Sequence, residues 1–385
     1  MTFLNRVSRL AIAFVLLGAM PADAAPTVSV LRVPAGSVQP QVAIDATGTE
    51  HLIYLTGDPQ KSDVFYARST DGGATFSKPL RVNTQPGSAI AMGTVRGAHL
   101  AIGRGNRVHV AWMGSGVAQP KGPRNSSPML YTRLADDGTF DPQRNVMQAR
   151  PGLDGGASIA ADGRGEVYIA WHAPLEQGAG EQSRQVWMVQ STNDGATFAA
   201  ERSVSDGKTG ACGCCGMRLF CTTEGQLFAL YRSADQITHR NVTLLRFDAQ
   251  AKNATSEIVG RTEIGTCVMS TEAFAANGRG AVAAWETHGQ IFWARVDADP
   301  AKSVEPIQVP RGPEQKHPAL AVNSSGQTLV VWTEGTAWNK GGAIAWQIYD
   351  QQGKPLGGIG HAQNLPVWGA PAAFARPNGE FVVIY

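Results

Sequence analysis

Seven copies of one hairpin, about fifty residues apart, predict an all-β chain folded as a β-propeller of four-stranded blades. Two regularities carry the prediction. The second strand of every hairpin is a short apolar run ending in a ring, at Tyr54, Trp112, Trp171, Tyr231, Trp285, Trp332 and Tyr385. Each of those strands follows a turn with a glycine to supply positive φ, from Gly48 and Gly105 through to Gly379. The composition agrees: 44 Gly, 22 Pro and only 17% charged residues suit many short strands and turns.

The segment from Gly155 to Val204 shows one whole blade. Gly155 to Ala161 and Glu166 to Trp171 form the inner hairpin, Gln185 to Gln190 is the third strand, and Glu201 to Val204 the fourth. Seven blades are expected, with six as the alternative if one hairpin is displaced. The last hairpin, Trp368 to Tyr385, lacks outer strands, while Thr27 to Val33 stands alone before the first. The N-terminal strand should therefore join the last blade, closing the ring and leaving no large open edge.

Residues 1–24 read as a secretory signal peptide. Arg6 and Arg9 precede an apolar run from Leu10 to Met20, and Ala22-Asp23-Ala24 suits cleavage. That run is too short to span a bilayer and no second one follows, so residues 25–385 are expected to be a single exported domain, periplasmic or secreted, with no transmembrane segment. A net charge of +2 offers no large basic face for nucleic acid.

Two segments bring in a family. Ser69-Thr70-Asp71-Gly72-Gly73-Ala74-Thr75-Phe76 and Ser191-Thr192-Asn193-Asp194-Gly195-Ala196-Thr197-Phe198 resemble the Asp-box of sialidase-like BNR-repeat propellers, with Asn193 replacing the aspartate in the second. Asp136-Asp137-Gly138-Thr139-Phe140 is a shortened third copy. The acidic side chain can accept turn N–H groups while the ring packs beneath, so the box is a folding device and carries no chemistry.

First strands begin, and second strands end, at one face of the ring, which is where a ligand should meet the central channel. Arg96, His172, Arg218, Arg232 and Glu334 are the candidate ligand-binding residues there, for a small molecule or glycan. His99, Glu272, His317, Trp338 and Trp368 share the rim. The resemblance also implies a hydrolase apparatus: arginines on a substrate carboxylate, a tyrosine nucleophile with a glutamate beside it, and an aspartic acid. Asp58, Tyr231 and Glu286 could fill the last three roles, with Glu334 an alternative to Glu286. Against this, Val38 stands where the family's first arginine is expected, and Leu31-Arg32-Val33-Pro34 lies too far upstream of the hairpin to replace it. A binding module is thus the favoured reading, and an exo-sialidase-type hydrolase acting on terminal sialic acid or a related acidic sugar is the alternative.

Five cysteines complete the inventory. Cys212, Cys214 and Cys215 enter the fourth hairpin and Cys267, with Met269, the fifth, so neighbouring blades should bring them together. They are expected either to form disulfides or to bind a soft metal, copper(I) being the natural choice for thiolates with a thioether. Cys221, at the far end of its strand, is expected to be an outsider in the core.

Overall fold

A computed structural model describes residues 26–385 except 177–178, 206, 236–237, 265–267 and 279; the signal segment lies outside them. The chain is an all-β, seven-bladed propeller of antiparallel blades, with only short 3-10 turns as helix among the described residues. Blade 3 runs Ala157–Ala161, Val167–Pro174, Arg184–Ser191 and Arg202–Ser203 in simple up-and-down order, and blades 1, 2, 5 and 6 repeat that order.

Ring closure follows the expectation and adds a direction. Blade 7 consists of Ala372–Ala375, Phe381–Ile384 and the N-terminal strand Val28–Leu31, which pairs parallel to Phe381–Ile384 from Val28↔Phe381 to Leu31↔Ile384. Arg32 clamps this seam: Nη2 donates to Tyr385 Oη at 2.5 Å and to Gln363 O at 2.7 Å, and the guanidinium lies 4.4 Å from the Tyr385 ring. Leu31 to Pro34 is thereby a closure element.

The core lies between blades. Trp112, Trp171, Tyr231, Trp285 and Trp332 are each at most 1% exposed, packed among the strands of adjoining blades. The recurring ring is therefore an interblade filler, each one contributing ~2–3 kcal/mol of burial. Residues 69–76 and 191–198 sit between third and fourth strands and satisfy their turns alike. Asp71 Oδ1 accepts from Thr75 N at 2.9 Å, as Asn193 Oδ1 does from Thr197 N at 2.9 Å, and Phe76 and Phe198 pack beneath. Asparagine serves because the turn asks for an acceptor and not for a charge.

Blade 4 departs from the pattern. Its first strand is broken into Gly210–Ala211 and Met217–Cys221, both paired to Leu227–Ala234. Ala211 pairs with Ser233 and Met217 with Tyr231, so residues 212–216 loop out opposite Arg232 alone. The cysteine segment is a turn between the two pieces of the strand.

Candidate functional site at the channel mouth

Strand register defines one level of the channel. The residue before each second-strand ring pairs with Gln41, His99, Ser158, Arg218, Ala273, Ala319 and Ala372 in blades 1 to 7. Blades 1 to 4 therefore put polar groups on this level and blades 5 to 7 put only methyls. Arg218 crosses between them: its Nη1 donates to Gln41 Oε1 at 2.8 Å and lies 2.6 Å from His99 Nδ1. No carboxylate is within ion-pairing distance of it among the described residues. Loss of water pulls the guanidinium down to about 10, which measures how poorly its charge is compensated.

One layer above, two bulges re-aim side chains into the same cavity. Register slips between Val38 and Gln41 in blade 1 and between Lys316 and Ala319 in blade 6. At each slip a residue before a proline takes left-handed backbone, Gln39 at φ 55 and His317 at φ 49, and both line the cavity. Strain of this kind persists where the surroundings over-determine it, and it clusters at ligand sites. Val38 itself pairs with Leu55 and packs toward blade 2, so no arginine replaces it.

Glu272 lines the cavity too. The residue is 5% exposed, its Oε2 has no hydrogen-bond partner, and burial pushes its carboxyl well above the usual carboxylate range. Burial acts oppositely on the histidines: His99 is held well below its usual value and His317 near 3, so both are neutral. The mouth encloses about 80 Å³, and below it the channel widens to a more apolar cavity of about 720 Å³.

The rim beside the mouth is aromatic. Trp338 and Trp368 meet edge to face at 6.4 Å, Arg96 lies 5.7 Å over Trp338, and Gln39 Nε2 donates to Trp368 O at 3.1 Å. Trp338 is 39% exposed. Arg96 is anchored by Asp154, whose Oδ1 is 3.0 Å from Nη2.

The other expected residues lie apart from this mouth or are occupied. Arg232 and Glu286 neutralise each other in the core, Nη2 to Oε2 at 2.6 Å, with both side chains almost wholly buried. Tyr231, 1% exposed, fills the interblade core. Asp58 is exposed at a hairpin end, accepting from Gln60 N at 2.9 Å. His172 is buried, pulled to about 4, with Nε2 3.2 Å from Cys215 O. Glu334 Oε1 accepts from Trp332 Nε1 at 2.9 Å. Of the five candidate ligand-binding residues Arg218 lines the mouth, and His99, Glu272 and His317 of the expected rim line it with Arg218. Gln39 and Gln41 were missed, although Gln39-Pro40 and His317-Pro318 repeat in phase with their hairpins and flagged the bulges.

In the blade 4 turn, Cys212 Sγ is 3.5 Å from Cys214 Sγ and 3.6 Å from Cys215 Sγ. Cys214 is disulfide-bonded, whereas Cys212, Cys215 and Cys221 are thiols. Cys267 lies outside the described residues, and Met269, half-buried at φ 49, lies two positions after it. Gly156 backs the turn at φ 64: a Cβ there would meet Cys215 O at 2.5 Å and His172 Nε2 at 2.6 Å. Cys221 is half-buried, borders the lower cavity, and is pushed up to about 12 by burial.

No protein-family model matches the sequence, and no curated protein does either. Solved structures do match in shape. A protein of unknown function from Dyadobacter fermentans has 14% identity over 88% of this chain and 98% of its own, with a TM-score of 0.53. The α-L-arabinanase of Penicillium chrysogenum, complexed with arabinobiose, has 14% identity over 83% and 95%, with a TM-score of 0.52. The α-L-arabinofuranosidase of Fusarium graminearum, also with arabinobiose, has 11% identity over 88% and 97%, with a TM-score of 0.50. At these identities the likeness establishes the fold alone.

Proposed function

We propose that this chain is an exported propeller of the sialidase-like Asp-box type that binds an acidic sugar at the channel mouth, with Arg218 pairing the ligand's carboxylate. The carrying observation is a guanidinium enclosed at the channel mouth with neutral partners only. A carboxylate entering there would supply the missing charge through paired N–H···O bonds. Trp338 and Trp368 supply a flat apolar flank for a sugar ring, and Gln39 and Gln41 supply amides for hydroxyls. That two of the shape neighbours are solved with a disaccharide is in keeping with a glycan ligand.

Calorimetric titration with N-acetylneuraminic acid, glucuronic acid and neutral arabinose tests this reading. The acids should bind at least ~10-fold more tightly than the neutral sugar, a difference of ~1.4 kcal/mol, and Arg218→Met should erase the preference. Equal binding of neutral and acidic sugars, or an unchanged preference in the variant, would overturn it.

A second reading, glycoside hydrolysis, rests on Glu272, since a carboxyl that lines a ligand pocket and is pushed well above the usual carboxylate range by burial is shifted in the direction a general acid requires. Chromogenic sialosides and arabinosides decide between the two. Binding without turnover is expected; turnover abolished by Glu272→Gln would establish the hydrolase.

A further inference from the structure

We propose that Cys212 and Cys215 form a copper(I)-binding dithiolate in the blade 4 turn, separate from the channel mouth. The two residues stand in C-x-x-C spacing, which is hidden in the run Cys212-Gly213-Cys214-Cys215 because a third cysteine interrupts it. Looping residues 212–216 out against Arg232 alone folds that run back on itself and brings the sulfurs to 3.6 Å.

That separation is informative. A disulfide needs about 2.05 Å, so these sulfurs would have to close by a large margin. Two thiolates sharing a metal at about 2.3 Å stand about 3.8 Å apart at near-tetrahedral angles and about 4.6 Å apart in a linear pair, so the observed spacing suits a bent dithiolate and must open by about 1 Å for a linear one. Cys214 is also near, at 3.5 Å from Cys212, but its disulfide removes it as a thiolate donor. Among the described residues no histidine or carboxylate joins the cluster. Two sulfur donors are too few for a closed zinc site, whereas thiolates select soft copper(I), which accepts low coordination numbers.

A second observation points to an anionic centre here. Arg232 is 2% exposed, its Nε has no hydrogen-bond partner, and Cys215 is foremost among the groups that act on its charge. Its Nη2 is spent on Glu286, and Nη1 donates to Arg240 O at 2.9 Å. The guanidinium that the turn wraps around thus keeps its Nε–H without an acceptor. Two thiolates with one Cu⁺ carry a net single negative charge, which the remaining Nε–H of the Arg232–Glu286 pair can meet with a hydrogen bond in a dry interior.

The test uses the full mature protein handled under argon without reductant. Copper(I) is presented as its bicinchoninate complex, with thiols counted in parallel. One copper per chain should transfer, and copper-edge X-ray absorption should show a first shell of two sulfurs. Cys212→Ser and Cys215→Ser should each weaken retention at least ~10-fold, while Cys214→Ser and Cys221→Ser should not. The absorption spectrum of the wild type decides the ligand set should a serine variant fail to fold. Failure of wild type to take copper, a Cys212–Cys215 disulfide in the protein, a first shell of nitrogen or oxygen, or loss of copper on Cys221→Ser would each overturn it. Sugar titrations with Arg218→Met are independent of these outcomes.

Discussion

Arg218 Nη1 lies 2.6 Å from His99 Nδ1 across the channel mouth, and the contact fixes the state of both residues. A guanidinium can only donate, so His99 Nδ1 must be the acceptor, and the histidine is neutral with its proton on Nε2. That agrees with the low value to which burial and the Arg218 charge hold His99. The pair is therefore one uncompensated positive charge resting on a neutral ring.

Removing that charge should stabilise the empty protein. Arg218→Met keeps the volume of the side chain but ends the cost of holding a guanidinium at the mouth without an anion, so a gain of ~1 kcal/mol is expected in urea unfolding. In wild type the same gain should come from a bound acid, as a melting temperature that climbs with ligand concentration. A variant destabilised by more than ~1 kcal/mol would mean that the contacts to Gln41 and His99 outweigh the buried charge.

Acid should weaken the fold before most carboxylates titrate. Burial holds His172 near 4 and His317 near 3, whereas in the unfolded chain each titrates near 6.5. Below 6.5 the unfolded state takes up protons that the folded state refuses, so stability is full above that pH and falls as pH drops toward 4. Each histidine contributes a slope of ~1.4 kcal/mol per pH unit in that window. Urea midpoints across the window should fall accordingly, and His317→Gln should flatten the slope; an unchanged slope would remove His317 from the account.

Glu272 has the opposite sign. Its carboxyl keeps its proton well above 4.5, where the unfolded chain has already released one, so this residue costs stability as pH rises above 4.5. Glu272→Gln should raise the urea midpoint at neutral pH and leave it unaltered near pH 4. A midpoint lowered at neutral pH would show the glutamate to be ionised and favourably held.

Deleting residues 26–33 should cost far more than loss of a terminal segment ordinarily does. The deletion strips the parallel partner from Phe381–Ile384 and the Arg32 clamp from Tyr385, and it opens an edge on a blade that has three strands. A fall of well over ~3 kcal/mol, or failure to fold, is expected in chemical unfolding. Unchanged stability would contradict the seam.

The repeat and the closing strand were determined by the sequence, which favoured seven blades and left six open, because they rest on local regularities. Period-two apolar runs, a glycine in each turn and a ring in constant phase act over a few residues, and any chain with that pattern repeated buries its rings between blades. The face on which ligand-seeking residues gather followed from the same phase. Tertiary structure alone decided which of them do so. Arg218 and Arg232 look equivalent along the chain, yet one points into the channel and the other is spent on Glu286, a partner 54 residues away in the neighbouring blade. The bulges that turn Gln39 and His317 inward, and the loop that folds three cysteine sulfurs together, depend on how many residues oppose one partner across a strand pair. A one-residue change of register sends a side chain to the opposite face, and composition and spacing carry no record of it.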